Sequence, residues 1–465
     1  MSERPHILIL MPDQQRADAM GCAGHPQIQT PNMDRLAAEG MRFEQAVTVC
    51  PVCMPARASF ANGRYPHNHG MWNNCRGRLP AEDETFFHIL QRNGYLTAHI
   101  GKSHYTAHGD GSHMKDREPY MHARGLEYVH ETTGPHATTN TRSYMTDAWE
   151  EKGIWDAFKQ DYRERKEARG LLVRPSPHAI EDYQDSYVGA QAVEYIRSYD
   201  DERPMCLFVG FGGPHEPWDA PESYATMYEP AQTPPTIPYT EPDGQAPVHV
   251  RRRRAFKPVR QMNPSHVQAI RANYYGKISL VDHWFGEILN ACSARGWDEN
   301  LFCVFWSDHG EMAGDHGLLH KSVFYDSSIR VPLVLRWPRH IHAGTTSPAL
   351  AEIVDVFPTL LEALELEPAR RCVGRSLWPA LREPNTEIRE CQLSEIADGD
   401  TLTTMIRTHA HKYAVDQQGR GFMLFDRAND PNETENLLGR PETAELEQRL
   451  HKQLCLRLLA GQASM

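Results

Sequence analysis

Four stretches of the chain share one pattern: a short apolar run, rich in β-branched and aromatic residues, that stops abruptly at polar ones. His6–Met11 runs into Pro12, Asp13 and Gln14, and Tyr95–Ile100 into Gly101, Lys102, Ser103 and His104. Met205–Phe211 runs into Gly212, Gly213, Pro214 and His215, and Leu301–Trp306 into Ser307, Asp308, His309 and Gly310. Continuous apolar runs of this length suit strands buried on both faces, as in a parallel sheet. Helical spacing lies between them. Thr30–Gly40 carries a cap residue, a proline in its first turn and a terminal glycine, and residues 86–93, 186–198 and 267–295 show the same period. Alternating strands and helices predict an α/β fold with a mostly parallel central sheet flanked by helices. Ligands in such sheets collect at the carboxyl ends of the strands, where these four runs place Asp, Lys, His, Ser and Gln side chains together.

The rest of the chain departs from this rhythm. Residues 106–180 are polar, His-containing and short of strand pattern, which reads as a long insertion or lid. Residues 226–264 are Pro-rich, and the Arg251–Arg254 run within them reads as a solvated loop. Beyond about residue 380 the pattern becomes short strands (392–396, 404–407, 412–415, 422–425) and a closing helix (443–459). This predicts a main domain over 1–380 and a smaller C-terminal α+β subdomain over 381–465 with an antiparallel sheet.

Composition narrows the class. The chain has 465 residues, 40% hydrophobic and 24% charged, enough for a sizeable core. No apolar run approaches the ~20 residues of a membrane span, and the apolar segment near the start is too brief for a signal peptide, so a cytoplasmic location is expected. A net charge of -12 argues against general nucleic-acid binding. The ten cysteines include one CxxC, Cys50 and Cys53, without the second pair a zinc ribbon requires.

Cys53 stands out for another reason. Pro55 suits a helix first turn and Gly63 a helix stop, so Cys53 falls at a helix N-terminus, where free N–H groups favour an anion, with the Arg57 guanidinium nearby. The string Cys53-x-Pro55-x-Arg57, followed by Gly63, Arg64, Tyr65 and Pro66, resembles the signature of the type I sulfatases, members of the alkaline-phosphatase-like superfamily. Ala56 departs from the serine commonest there. Asp13-Gln14, Gly101-Lys102-x-His104, Pro214-His215-x-Pro217, Asp308-His309 and the Lys321 element resemble further landmarks of that family in the same order. Each alone has a bland reading as a strand-end cap, a surface histidine or a solvated lysine.

The resemblance implies that Cys53 is oxidised by a formylglycine-generating or related maturation enzyme. The aldehyde hydrate is then the nucleophile on a sulfate monoester, an alkyl, aryl or carbohydrate sulfate. It implies one divalent cation held by Asp13, Gln14, modified Cys53, Asp308 and His309. Mostly oxygen ligands point to Ca2+, and the imidazole of His309 also suits Mn2+. Arg57, Lys102 and Lys321 then complete a local positive surplus of about three charges in an acidic chain. By the same resemblance Asp308 takes the proton of the attacking hydroxyl. His104 takes one from the second hydroxyl to expel sulfate, while His215 and Lys321 serve the leaving oxygen. Asn74, Lys102, His215 and Lys321 are the expected substrate contacts. Trp149, Trp155, Trp218 and His108, His113 and His122 are candidate specificity residues. Expected partners are a small anionic ester or sulfated saccharide and the maturation enzyme, with no nucleic acid or membrane; a homo-oligomer is left open. Two other readings compete: a phosphonate monoester or phosphodiester hydrolase, kept open by Gln14 and His309, and a non-catalytic anion binder if Cys53 stays a thiol.

Overall fold

The computed structural model describes residues 4–462 apart from 76, 169, 241–247, 256 and 368, so part of the Pro-rich stretch lies outside the described residues. Eight strands form one sheet: β1 (His6–Asp13), β2 (Met41–Val47), β3 (Leu96–Gly101), β4 (Tyr128–Glu131), β5 (Met205–Pro214), β6 (Leu301–Trp306), β7 (Leu333–Arg336) and β8 (Thr345–Glu352). Their order is β4-β3-β5-β1-β6-β7-β2-β8. Neighbours pair in parallel except β7, which is antiparallel to both β6 and β2. The four apolar runs form its adjacent central strands β3, β5, β1 and β6, whose carboxyl ends therefore share one edge.

Their side chains alternate between two cores. Ile7, Ile9, Phe208, Val304 and Trp306 pack on one side with the helix Cys53–Asn62. Leu8, Leu10, Leu207, Val209 and Phe305 pack on the other against the helices Gln184–Ser198 and Pro264–Ala294. Burial on both faces is why these strands read as mainly apolar runs, interrupted in β3 by the buried Thr97 and His99. Strands β9 (Gln392–Asp398), β10 (Thr401–Arg407), β11 (His411–Asp416) and β12 (Gly421–Asp426) make a separate antiparallel sheet in the order β12-β11-β10-β9. The helix Ala444–Gln462 closes the chain.

The structure refines three sequence expectations. The stretch 106–180 holds one four-residue strand that the sequence pattern did not show, β4, which pairs in parallel with β3. A four-residue edge strand with a histidine and a glutamate in it has no apolar run to betray it. Arg251–Arg254 is not a solvated loop but lies on the helix Val248–Ala255. Arg252 donates to Asp398 O at 2.7 Å, and the Arg254 guanidinium stacks 3.6 Å from the Tyr239 ring centroid. Long aliphatic stems allow a basic run to pack while its charges find partners. Trp149, Trp155 and Trp218 are buried, Trp149 beside a small cavity that Phe158 and His178 also line. Among the described residues no helix is long and apolar enough to cross a membrane.

Candidate active site

Cys53 opens the helix Cys53–Asn62, every residue of which is buried. Gly63 ends it with φ 66°, and a side chain there would strike Cys372 and Phe357, so the stop is built for glycine. Asn74 Oδ1 accepts the Met54 N–H at 2.9 Å, fixing the first turn.

Around Cys53 the strand ends deliver their side chains. Asp13, Cys53, Asp308 and His309 each place one donor atom within 4.8 Å of the others, all buried. His309 Nε2 lies 3.2 Å from Cys53 Sγ, while its Nδ1 is 3.0 Å from Gly310 O. Burial lowers the His309 imidazole, but Asp308 and Cys53 raise it; with Nδ1–H donated to that carbonyl, Nε2 faces the cluster, where a bound cation would take the place of its proton. Two carboxylates, an imidazole nitrogen and the residue 53 side chain form a donor set that fits a divalent cation.

Arg57 lies between the two carboxylates rather than toward open space. Its Nη2 donates to Asp13 Oδ2 at 2.9 Å, its Nε to Asp308 Oδ2 at 2.8 Å, and its Nη1 to Lys102 O. Lys102 Nζ also donates to Asp13 Oδ2. Burial raises the Asp13 carboxyl, but Lys102 and Arg57 outweigh it and hold it well below the usual range. Asp308 is pushed up by burial and by Asp13, yet His309, Arg57 and Lys102 leave it low. Its Oδ1 already accepts the Gln14 and His309 N–H groups at 2.9 and 3.0 Å. A carboxylate so engaged is suited to holding positive charge.

The Cys53 thiol is raised by burial and Asp13, but Lys321, Lys102 and His309 drive it well below its ordinary value. His104, at φ 57°, follows β3 and stacks on His108 with centroids 4.4 Å apart. Burial first, then His108, Lys102 and Arg57, keep it neutral. Its buried Nδ1 has no hydrogen-bond partner within the protein, a polar atom left for a group the chain does not supply. His113 and His122 bond instead to Asp147 and the Leu126 carbonyl.

On the opposite side His215 Nδ1 meets Glu216 O at 2.7 Å and its Nε2 meets Lys321 Nζ at 2.7 Å. With Nδ1–H donating to the carbonyl, Nε2 accepts from the ammonium. Burial disfavours that ammonium, but Glu216, Cys53 and Asp13 raise it, so it stays charged. Gln14, expected among the cation ligands, has its carboxamide engaged elsewhere: Lys321 Nζ donates to its Oε1, and its Nε2 donates to Glu216 at 3.0 Å and to Glu311. These two carboxylates reduce the local surplus of about three charges to about one. Glu311 follows Asp308 by three residues and Glu216 sits inside the His215 element, so both were in view; nothing local marked them. Glu131 had no sequence signal. It ends β4, and its carboxylate accepts Ser103 N and Ser103 Oγ at 2.9 Å each, pinning the turn that carries Lys102 and His104.

Beneath His215, the buried Asp185 accepts the Gly212 and Gly213 N–H groups at 2.9 and 2.8 Å. Burial pushes its carboxyl up to about 6, against Lys277 and those two N–H groups. A carboxyl raised on folding contributes stability that is full below its unfolded pKa of ~3.9 and is lost as pH rises through its folded value. Asp185→Asn keeps an oxygen for both N–H groups and cannot ionise. Its Tm is therefore expected to fall less than that of the parent between about pH 4.5 and 7. Melts across that range check this; parallel curves would refute it.

A mixed, mostly parallel sheet thus gathers carboxylates, a histidine and a helix-start residue at its carboxyl edge, the arrangement that the resemblance to the alkaline-phosphatase-like superfamily implies. The comparisons narrow this. The profile of the family described as Sulfatase matches residues 5–366, and that of the N-sulphoglucosamine sulphohydrolase C-terminal region matches 314–458. The chain belongs to the sulfatase family, whose members are sulfuric ester hydrolases. It is 30% identical to an ulvan-active sulfatase of Formosa agariphila, over 97% of this chain and 80% of that one. It is 28% identical to an arylsulfatase of Clostridium perfringens, over 95% and 92%. Its fold superposes on a phosphonate monoester hydrolase from Silicibacter pomeroyi with a TM-score of 0.81 at 23% identity, over 99% and 96% of the chains.

Proposed function

We propose that this protein hydrolyses a sulfate monoester, carried by an aryl, alkyl or saccharide group, at residue 53 after that cysteine has become formylglycine. The observation that carries the reading is the meeting of Asp13, Cys53, Asp308 and His309 from separate parts of the chain in one buried cluster. Asp13, Asp308 and His309, with the residue 53 side chain, would hold one divalent cation, Ca2+ or alternatively Mn2+. When bound, that ion and the aldehyde hydrate supply charge stabilisation and the attacking oxygen.

The chain's own residues do the rest. Arg57 and Lys102 fix the two carboxylates at the cluster and offset their charge. Neutral His104 offers a lone pair for a proton beside residue 53. The Lys321 ammonium, hydrogen-bonded to His215 Nε2, is placed for the oxygen that leaves as an alcohol. Asn74 and Lys102 complete the proposed substrate contacts. Cys53 is 1% exposed on a fully buried helix, so its oxidation by a maturation enzyme has to precede folding.

Three measurements test this. Mass spectrometry of the Cys53 peptide from active protein should find the aldehyde, and thiol alone would refute the mechanism. Prolonged chelation should lower activity by about 10²-fold or more, with Ca2+ or Mn2+ restoring it; unchanged activity after verified metal loss would overturn the cation site. Turnover of 4-nitrophenyl sulfate should exceed that of phenylphosphonate and of a phosphodiester. The reverse order would establish the phosphorus-ester reading, which the neutral Gln14 amide and the His309 imidazole favour.

A further inference from the structure

The segment that carries His215 is gripped from below by one buried lysine. Lys277 lies midway along the helix Pro264–Ala294 with its side chain 1% exposed. Its ammonium donates to His215 O at 2.6 Å, Pro217 O at 2.8 Å and Asp219 Oδ1 at 3.0 Å, which uses all three of its protons. Asp219 is held in turn by the Tyr183 hydroxyl at 2.9 Å. One helical turn before Lys277, Asn273 Oδ1 accepts the Ala220 N–H at 3.0 Å. The helix thus fixes both ends of the peptide from His215 to Ala220.

Between the two carbonyls that Lys277 holds lies the Glu216 carbonyl, the one that faces His215 Nδ1. Fixing its neighbours fixes this carbonyl, and with it the tautomer and direction of the imidazole whose Nε2 meets Lys321. Burying an ammonium is a poor way to gain stability, since an apolar side chain of similar volume fills the same space without desolvating a charge. A lysine with two protons on the carbonyls of one turn and the third on the Asp219 carboxylate of the same segment is explained by what it does to that turn. We propose that Lys277 is a positioning residue for leaving-group protonation, holding His215 so that the His215–Lys321 pair faces the departing oxygen. This rests on the role given to that pair above.

The consequence is selective. An ester with a poor leaving group needs the proton and one with a good leaving group does not, so misplacing His215 should harm the first far more. The matured enzyme, Lys277→Met and His215→Ala are compared on the phenyl and 4-nitrophenyl esters of whichever acid it prefers. For Lys277→Met we expect kcat on the phenyl ester to fall about 10²-fold, on the 4-nitrophenyl ester less than about 3-fold, and KM to change little. Equal losses on both esters, or none, would overturn the proposal. His215→Ala separates the two levels: if it shows the selective loss and Lys277→Met does not, the positioning role alone fails. If His215→Ala harms both esters equally, the leaving-group role itself fails. Should Lys277→Met not fold, Asp219→Asn removes the lysine's charged partner. It is then expected to show the same selectivity at about 10-fold, and an unselective effect counts against the proposal equally.

Discussion

Cys53→Ala is expected to lower turnover by at least ~10⁴-fold, the scale on which loss of a nucleophile acts, while leaving the fold intact. The side chain is small and alanine continues the first turn of the helix Cys53–Asn62, so Tm should move little. Cys53→Ser sharpens the test. A serine oxygen is a single hydroxyl: it permits attack on sulfur but leaves no second hydroxyl for His104 to deprotonate. The expected result is sulfuryl labelling of residue 53 to about one equivalent and no sustained turnover. Intact-mass spectrometry after incubation with 4-nitrophenyl sulfate, beside a progress curve for released nitrophenol, reads both quantities. Sustained turnover by either variant at more than a few per cent of the parent rate would remove Cys53 from the mechanism.

The second large effect concerns Arg57. Its guanidinium bridges Asp13 and Asp308, all three fully buried, so Arg57→Met leaves two carboxylates with one fewer cation between them. Breaking such a buried pair costs about 3–5 kcal/mol, and for a chain of this size a Tm drop of about 5 °C is expected. Arg57→Lys should fall between, because an ammonium is a point charge without the fork that reaches both carboxylates. The pH dependence follows in sign. Asp13 and Asp308 are held low in the folded protein, so their contribution is present above the unfolded value of ~3.9 and is lost as pH falls below it. Removing Arg57 raises both carboxyls and should move the acid loss of stability to higher pH. Divalent cation added in excess should recover part of the lost Tm by taking up the same charge. Melts with and without chelator, at several pH values, decide this. A variant as stable as the parent in chelator would show that Lys102 alone suffices.

How much of this was legible before the fold was known depends on how local each signal is. The central strands β3, β5, β1 and β6 were readable because strands buried on both faces are apolar at most positions, with Thr97 and His99 of β3 the buried exceptions. The helix from Cys53 was readable from Pro55 and Gly63, and Lys102, His215 and Asp308 from their places just past apolar runs. β4 was missed because an edge strand carrying His130 and Glu131 obeys no such rule, and the Arg251–Arg254 helix because its partners Asp398 and Tyr239 are distant or outside the run.

By itself, then, the order of residues determined the kinds of groups present and the sheet edge to which they belong, since hydrophobic runs, caps and turns are written over a few neighbours. Only the tertiary structure decided what each group does there. Arg57 reaches Asp308 across 251 residues of chain, Gln14 meets Glu311 across 297, and Lys277 takes the His215 carbonyl from a helix 62 residues away. Pairing, tautomer and protonation depend on distances of a few ångströms between such groups. No local pattern carries those distances, and packing of the whole domain sets them.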